Sequence, residues 1–360
     1  MIESGRFFVP GPTEVGPEVL DAMRRPLIFH RTAEMEALMR RVTAGLAQVF
    51  GTQRPVHVLT GSGTAAMELA VRNGTVRSVL SIVHGDFGER FARLAESCGR
   101  AVVRLTAAPG DVVPLDRIRE AMRAQAFDAV LATHSETALG VLADIAGIAG
   151  VVREHPNCLL LVDAVSSAGA TPIAMDQWGV DAVVSASQKA MALPPGLAFA
   201  AVSERLLARA RGLPNRGMYL DVLRYEDFTA KAQSPTTPAV SLLFALDHQI
   251  AAIGRETLAA RFGRHSSMAA ACAQWVTRAS DSMEISMMAH PDHRSPSVTC
   301  IRTTTTSGDV LNRMRVQGYE LGGGQAEFTA TTFRVGHMGD HTVGGMSQML
   351  DVLERVLRMP

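Results

Sequence analysis

Between about residues 55 and 203 the chain repeats one theme: a short apolar run, a polar turn, then a helical stretch. The runs occupy residues 56–59, 78–83, 101–105, 129–133, 158–162, 182–185 and 197–202. Most are near-continuous rather than alternating in apolar residues, the pattern of strands covered on both faces. Helical spacing fills most gaps, for example 64–71 and 115–124. Strands alternating with helices predict an α/β unit with a mostly parallel sheet. Such a sheet takes its ligand beyond the carboxyl ends of its strands, so the strand ends are the first place to look for chemistry.

After Pro238 the texture changes. An Ala/Leu-rich helical region spans about 241–279, with breaks expected at Gly254 and Gly263. A strand at 297–302, a helix at 310–317, a turn at Gly322-Gly323-Gly324, a strand at 333–335 and a helix at 343–357 follow. They predict a smaller C-terminal α+β domain. The expected organisation is an arm over 1–15, a large domain over 16–255 and a small domain over 256–360. Residues 211–237 show little periodicity and read as a long surface excursion, of the length that carries function or faces a partner.

With 47% hydrophobic and 19% charged residues and a net charge of zero, the composition is that of a soluble globular protein. No long basic run is present, which argues against nucleic acid and anionic membranes as partners. No stretch of about 18 uncharged apolar residues exists to span a membrane. The first residues lack the charged-then-apolar pattern of a secretory signal, so a cytoplasmic protein is expected. Cys98, Cys158, Cys272 and Cys300 are far apart and form no CxxC pair, so neither a disulfide framework nor a metal site is expected.

Four strand ends carry reactive side chains. Of the 35 Lys+Arg residues only Lys189 and Lys231 are lysines, and Lys189 follows the run at 182–185. Arginine stays charged at any working pH, whereas a lysine can become a neutral amine that condenses with an aldehyde. Asp163 ends the preceding run; it reads equally as a partner for a charged ligand nitrogen or as a helix N-cap. Ser62-Gly63-Thr64 joins a strand to a helix start, where exposed amides favour a phosphate; a plain turn with Thr64 as cap is the other reading. His134 to Gly140 follows another strand, and a lone histidine there is ordinarily structural. A lysine amine, an acid and a phosphate corner in one crevice are what pyridoxal phosphate requires of a protein.

The chain resembles the class V aminotransferases among the fold-type-I pyridoxal-phosphate enzymes, and within them the alanine/serine–glyoxylate (serine–pyruvate) group. The resemblance rests on Pro10-Gly11-Pro12-Thr13, Gly61 to Glu68, Phe87-Gly88-Glu89-Arg90, and His134 with Glu136-Thr137 and Gly140. It continues through Asp163-Ala164-Val165-Ser166-Ser167, Ser187-Gln188-Lys189, Thr236 with Pro238, and Phe333 to Gly339. It implies a seven-stranded large domain, a smaller C-terminal domain and a homodimer with shared active sites. Lys189 would hold the cofactor as a Schiff base and shuttle the proton, while Asp163 would keep the pyridine nitrogen protonated. Phe87 and Val165 would sandwich the ring, and Thr137 would sit near its phenolic oxygen. Ser62, Gly63, Thr64 and Gln188 would bind the phosphate, with Thr236 reaching the neighbouring subunit's. Arg334 would grip the substrate α-carboxylate.

Two departures stand out. Ala138 and Leu139 are apolar where the family usually has Ser or Thr, and the chain is short near 73–77. His30-Arg31 is shared with serine–pyruvate relatives and with phosphoserine aminotransferases, where the pair helps bind a substrate phosphate; packing at helix entry is the other reading. The implied reaction moves the amino group of alanine or serine to glyoxylate or pyruvate, so the partners are a small amino acid and a 2-oxo acid. The alternatives are a phosphoserine-type aminotransferase and a class V lyase such as a cysteine desulfurase, which needs a reactive cysteine on a mobile loop.

Overall fold

The computed structural model describes residues 5–358. In chain order the strands are β1 (Phe7–Phe8), β2 (Val56–Thr60), β3 (Ser78–Val83), β4 (Ala101–Thr106) and β5 (Ala129–Thr133). A short hairpin follows, β6 (Ser135–Glu136) and β7 (Val141–Leu142), then β8 (Leu159–Asp163), β9 (Ala182–Ala186) and β10 (Leu197–Val202). The last four are β11 (Ile285–Met287), β12 (Val298–Thr303), β13 (Glu320–Gly323) and β14 (Thr332–Gly336).

Seven strands form one sheet in the order β2-β10-β9-β8-β5-β3-β4. All run parallel except β10, which is antiparallel to both its neighbours. The apolar runs are continuous because alternate residues serve different cores. Leu160 and Val162 of β8 pack on one face, and Leu159 and Leu161 on the other. At the edge, β4 has only β3 beside it and its residues are exposed or half-buried throughout. The second sheet, β1-β13-β14-β12-β11, is antiparallel except where β1 joins β13 in parallel. Helices Leu258–Met283 and Val343–Leu357 cover it, burying Met268, Trp275, Met349 and Leu353 with Phe333 and Val335.

Local differences from the sequence reading have identifiable causes. The helical region breaks once, at Thr257, between helices Val240–Glu256 and Leu258–Met283. Gly254 and Gly263 both lie inside helices; the cost of about 1 kcal/mol for an interior glycine is offset by packing on either side. Thr257 takes a left-handed φ of 70° and its hydroxyl accepts from the Ala260 amide, starting the new helix. Gly322 and Gly323 form a strand rather than a turn, paired with Arg334 and Phe333 of β14, and Gly322 leaves room for Pro10, whose Cδ an added Cβ would meet at 2.5 Å. The 211–237 excursion contains a helix, Val222–Thr229, anchored by buried Val222 and Tyr225. No helix among the described residues is long and apolar enough to cross a membrane.

Candidate active site

A cavity of about 270 Å³ opens at the carboxyl ends of β2, β8 and β9. Ser62, Gly63 and Thr64 enter from the helix start after β2, Asp163 from the tip of β8, and Gln188 and Lys189 from just past β9. Phe87 and Arg90 come from helix Asp86–Ser97, and Gly11 and Pro12 cross from the N-terminal segment. Val165 and Met67 complete the lining. The parallel neighbours β8 and β9 end side by side, which places Asp163 and Lys189 in one crevice.

Lys189 is buried, and its Nζ donates to the Pro10 carbonyl at 2.6 Å. Burial first, then the nearby Arg334 guanidinium, pull its amine down to about 8 from the ordinary lysine value, against the opposing pull of Asp163. Burial pushes the Asp163 carboxyl up to about 6, while the Val165 amide that donates to its Oδ1 at 2.9 Å and the charge of Lys189 work the other way. Asp163 is the end of a strand, not a helix N-cap. The strap over Lys189 is fastened at both ends of its motif: the Thr13 hydroxyl donates to the Lys189 carbonyl at 2.8 Å, and the Thr13 amide to the Gln188 carbonyl.

At the β2 corner Ser62, not Thr64, is the N-cap of helix Gly63–Gly74. Its hydroxyl makes no capping bond. The first-turn amides and the positive end of the helix dipole therefore face the cavity with no carboxylate or hydroxyl cap of their own. Gln188 adds a buried side-chain Oε1 without a hydrogen-bond partner.

Glu136 had no role in the sequence reading, although it lies in one of the motifs. It is fully buried and accepts from the Phe87 and Gly88 amides and from the Ala138 amide, each at 3.0 Å. It thereby ties the Phe87 turn to the 137–139 segment. Burial pushes its carboxyl up to about 7 despite those donors. The Phe87 ring has Lys189 Nζ 5.9 Å and Arg90 Cζ 4.9 Å from its centroid. Thr137 lies just behind the cavity, donating to Ser166 Oγ at 2.6 Å. Arg334, buried on β14, donates from Nε to the Gly323 carbonyl at 2.7 Å and from Nη1 to the Thr137 carbonyl at 3.3 Å. Other cavity-lining residues to which the sequence assigns no role are Gly11, Pro12, Met67 and Arg90; all four lie within the Pro10 to Thr13, Gly61 to Glu68 and Phe87 to Arg90 motifs, which held the signal.

Five expected site residues do not line the cavity of their own chain: Thr137 and Arg334, described above, and Arg31, His30 and Thr236. Arg31 donates to Gln233 Oε1 and to the Ser234 carbonyl, and stacks over Phe228. His30 packs edge-on against Phe29. Thr236 follows two residues after Ser234 and is half-buried. Lys231 is exposed beside Phe228 and does not line the cavity. His134 is buried against Trp178, in keeping with a structural role. None of the four cysteines lines the cavity; Cys300 and Cys272 are fully buried, with thiols pushed up to about 11 and about 12.

The family model for class-V aminotransferases matches residues 7–327. The chain belongs to the class-V aminotransferase family. An uncharacterized aminotransferase of Methanocaldococcus jannaschii is 36% identical over 92% of this chain and 87% of its own. A serine–glyoxylate aminotransferase of Methylorubrum extorquens is 31% identical over 92% and 86%. An alanine–glyoxylate aminotransferase structure from Nostoc sp. superposes with a TM-score of 0.93 at 28% identity, covering 99% of this chain and 96% of that one. The fold is that of the fold-type-I pyridoxal-phosphate aminotransferases, and this class-V member is a pyridoxal-phosphate-dependent transaminase. The cavity fits that cofactor: a buried amine for its aldehyde, a buried acid for its ring nitrogen, a flat apolar ring, and a helix start with an uncommitted hydroxyl for its phosphate.

Proposed function

We propose that this transaminase moves the amino group of a small L-amino acid, alanine or serine, to glyoxylate or pyruvate. The observation that carries the reading is the convergence of Lys189, Asp163 and the Ser62 corner on one cavity with Arg334 at its border. The names of the Methylorubrum and Nostoc relatives support the substrates.

When bound, pyridoxal phosphate supplies an aldehyde to the lysine and a ring that takes up the electrons left on the substrate α-carbon. Lys189 would hold that aldehyde and would carry the proton between the substrate Cα and the cofactor C4′. An amine titrating near 8 suits this task, since it is partly neutral at pH 7 yet still basic. Asp163 would keep the ring nitrogen protonated. Phe87 and Val165 would hold the ring, Thr137 would serve its phenolic oxygen, and Ser62, Gly63, Thr64 and Gln188 would hold the phosphate. Arg334 offers its guanidinium fork to the substrate α-carboxylate, preset by its bonds to Gly323 and Thr137.

The reading includes a homodimer in which Thr236 reaches the partner's phosphate, with His30 and Arg31 beside it. Two features support it: these residues lie off their own cavity, and large apolar residues, Leu27 and Phe29, stand exposed just before His30. We assign residues 16–255 to the large domain and 256–360 to the small one, the division suggested by the break at Thr257. The buried, unreactive environment of Cys300 and Cys272 speaks against the desulfurase alternative.

The test is the half-reaction. Cofactor-loaded protein mixed with L-alanine or L-serine should lose the visible absorbance of the lysine-bound cofactor, and glyoxylate or pyruvate should restore it. Absorbance unchanged by both donors would overturn the reading.

A further inference from the structure

A second cavity, of about 140 Å³, shares no lining residue with the first, but its wall runs directly into the first at Asp86 and Phe87. Its wall contains Gly85 and Asp86, which lead into Phe87; Ala138 and Leu139, which follow Thr137; and the 325–328 segment, which follows β13. Arg334 spans the junction, because its two protein bonds go to Thr137 and Gly323, the residues from which two of those wall segments continue. Its guanidinium lies within electrostatic range of Lys189 on one side and of Asp86 on the other. A substrate held there by its α-carboxylate, with its α-carbon at Lys189, has this space next to it for a side chain.

The chemistry of the wall is specific. His84 is 4% exposed, yet neither of its ring nitrogens has a hydrogen-bond partner among the described residues. A buried polar group left unpaired is costly, so a ring lining a cavity in that state points to a ligand that completes it. Burial, reinforced by the nearby His293, draws its imidazole down to about 4. At neutral pH the ring is therefore uncharged and offers one N–H donor and one acceptor. The charged lining residues are Asp86 and Glu327, with no lysine or arginine to balance an incoming carboxylate. The remaining wall is largely apolar, with Val83, Leu139 and Phe328. A cavity of about 150 Å³ takes a benzene, so this space admits a side chain of roughly half a dozen heavy atoms.

We infer that this cavity receives the substrate side chain, and that His84 selects an uncharged hydrogen-bonding end, a hydroxyl or carboxamide, over a carboxylate. The inference rests on Arg334 holding the α-carboxylate. It gives Ala138 and Leu139 a use: they supply apolar wall to a chain whose polar end meets His84, the buried, unpartnered member of a polar set that also includes Thr106, Gln325, Asp86 and Glu327. Serine reaches the near part of the space, and a carboxamide reaches further.

Isosteric donors test it. Half-reaction rates are measured with the cofactor-loaded protein for L-asparagine against L-aspartate and L-glutamine against L-glutamate, with L-alanine and L-serine as references. The expected result is an amide-over-acid ratio in kcat/KM of at least ~10 in one pair, a modest threshold beside the roughly 10⁴–10⁵ that sites built to hydrogen-bond a substrate group reach. His84→Leu should lower that ratio about tenfold. Glu327→Gln, at an exposed position that the fold tolerates, should lower it by improving the acid. Acids reacting as fast as amides, or a ratio unmoved in both variants, would overturn the inference and leave the transaminase reading standing if alanine or serine reacts. Inertness of every donor, with L-alanine and L-serine both included as references, would overturn both.

Discussion

Gly11→Ala isolates the placement of the reactive amine. Gly11 has φ 125°, and a Cβ built on it would lie 2.4 Å from Lys189 Nζ, 2.6 Å from Cδ and 2.7 Å from Cε. Comfortable non-bonded contacts start at about 3.5 Å, so the lysine must retreat by roughly 1 Å and give up its bond to the Pro10 carbonyl. A misplacement of about 1 Å at a reacting group costs on the order of 10²-fold in rate. The positive φ adds a backbone penalty of about 1–3 kcal/mol to stability, whatever the neighbours. Gly99→Ala separates the two effects, since Gly99 has φ 79° and nothing within 4 Å of an added Cβ. Both variants should melt earlier, and only Gly11→Ala should slow the alanine half-reaction about 100-fold in stopped-flow measurements on cofactor-loaded protein. Gly11→Ala reacting within about threefold of the parent, or Gly99→Ala slowing equally, would refute the claim that this strap fixes the amine.

Two further outcomes follow from the electrostatics. Burial and Arg334 lower the Lys189 pKa to about 8, so its neutral fraction rises through pH 8 rather than near 10.5. Capture of pyridoxal phosphate by the cofactor-free protein should therefore accelerate between about pH 7 and 9 and then level off; a rise centred above pH 10 would contradict the lowered value. Arg334→Lys replaces a planar fork with a point charge and removes the bonds to Gly323 and Thr137. KM for the amino donor should rise at least ~10-fold while cofactor uptake is unchanged, as read by titration and steady-state kinetics.

Much of the fold was legible because the large sheet is covered on both faces. A strand such as β8 must then be apolar at successive positions, and its run stands out against the helices. The strand tips were legible for a related reason: a charged group ending such a run, as Asp163 does, must answer to something beyond the sheet. What escaped depends on contacts between distant segments. Gly322 reads as turn-forming, yet its missing side chain makes room for Pro10 more than 300 residues away in sequence. Glu136 looks like any acid in a polar stretch; only folding brings the Phe87, Gly88 and Ala138 amides onto it. His84 likewise shows nothing in the sequence of its unpartnered ring. Gly263 misled because helix propensity is a weak term beside the packing of helix Leu258–Met283 on the second sheet.

Because the chain has only two lysines, the central claim can be read from a single adduct. Cofactor-loaded protein is reduced with borohydride, digested, and mapped by mass spectrometry. The account predicts a phosphopyridoxyl group on the peptide containing Lys189, and none on the peptide containing Lys231. The label on Lys231, or on neither lysine, would contradict it.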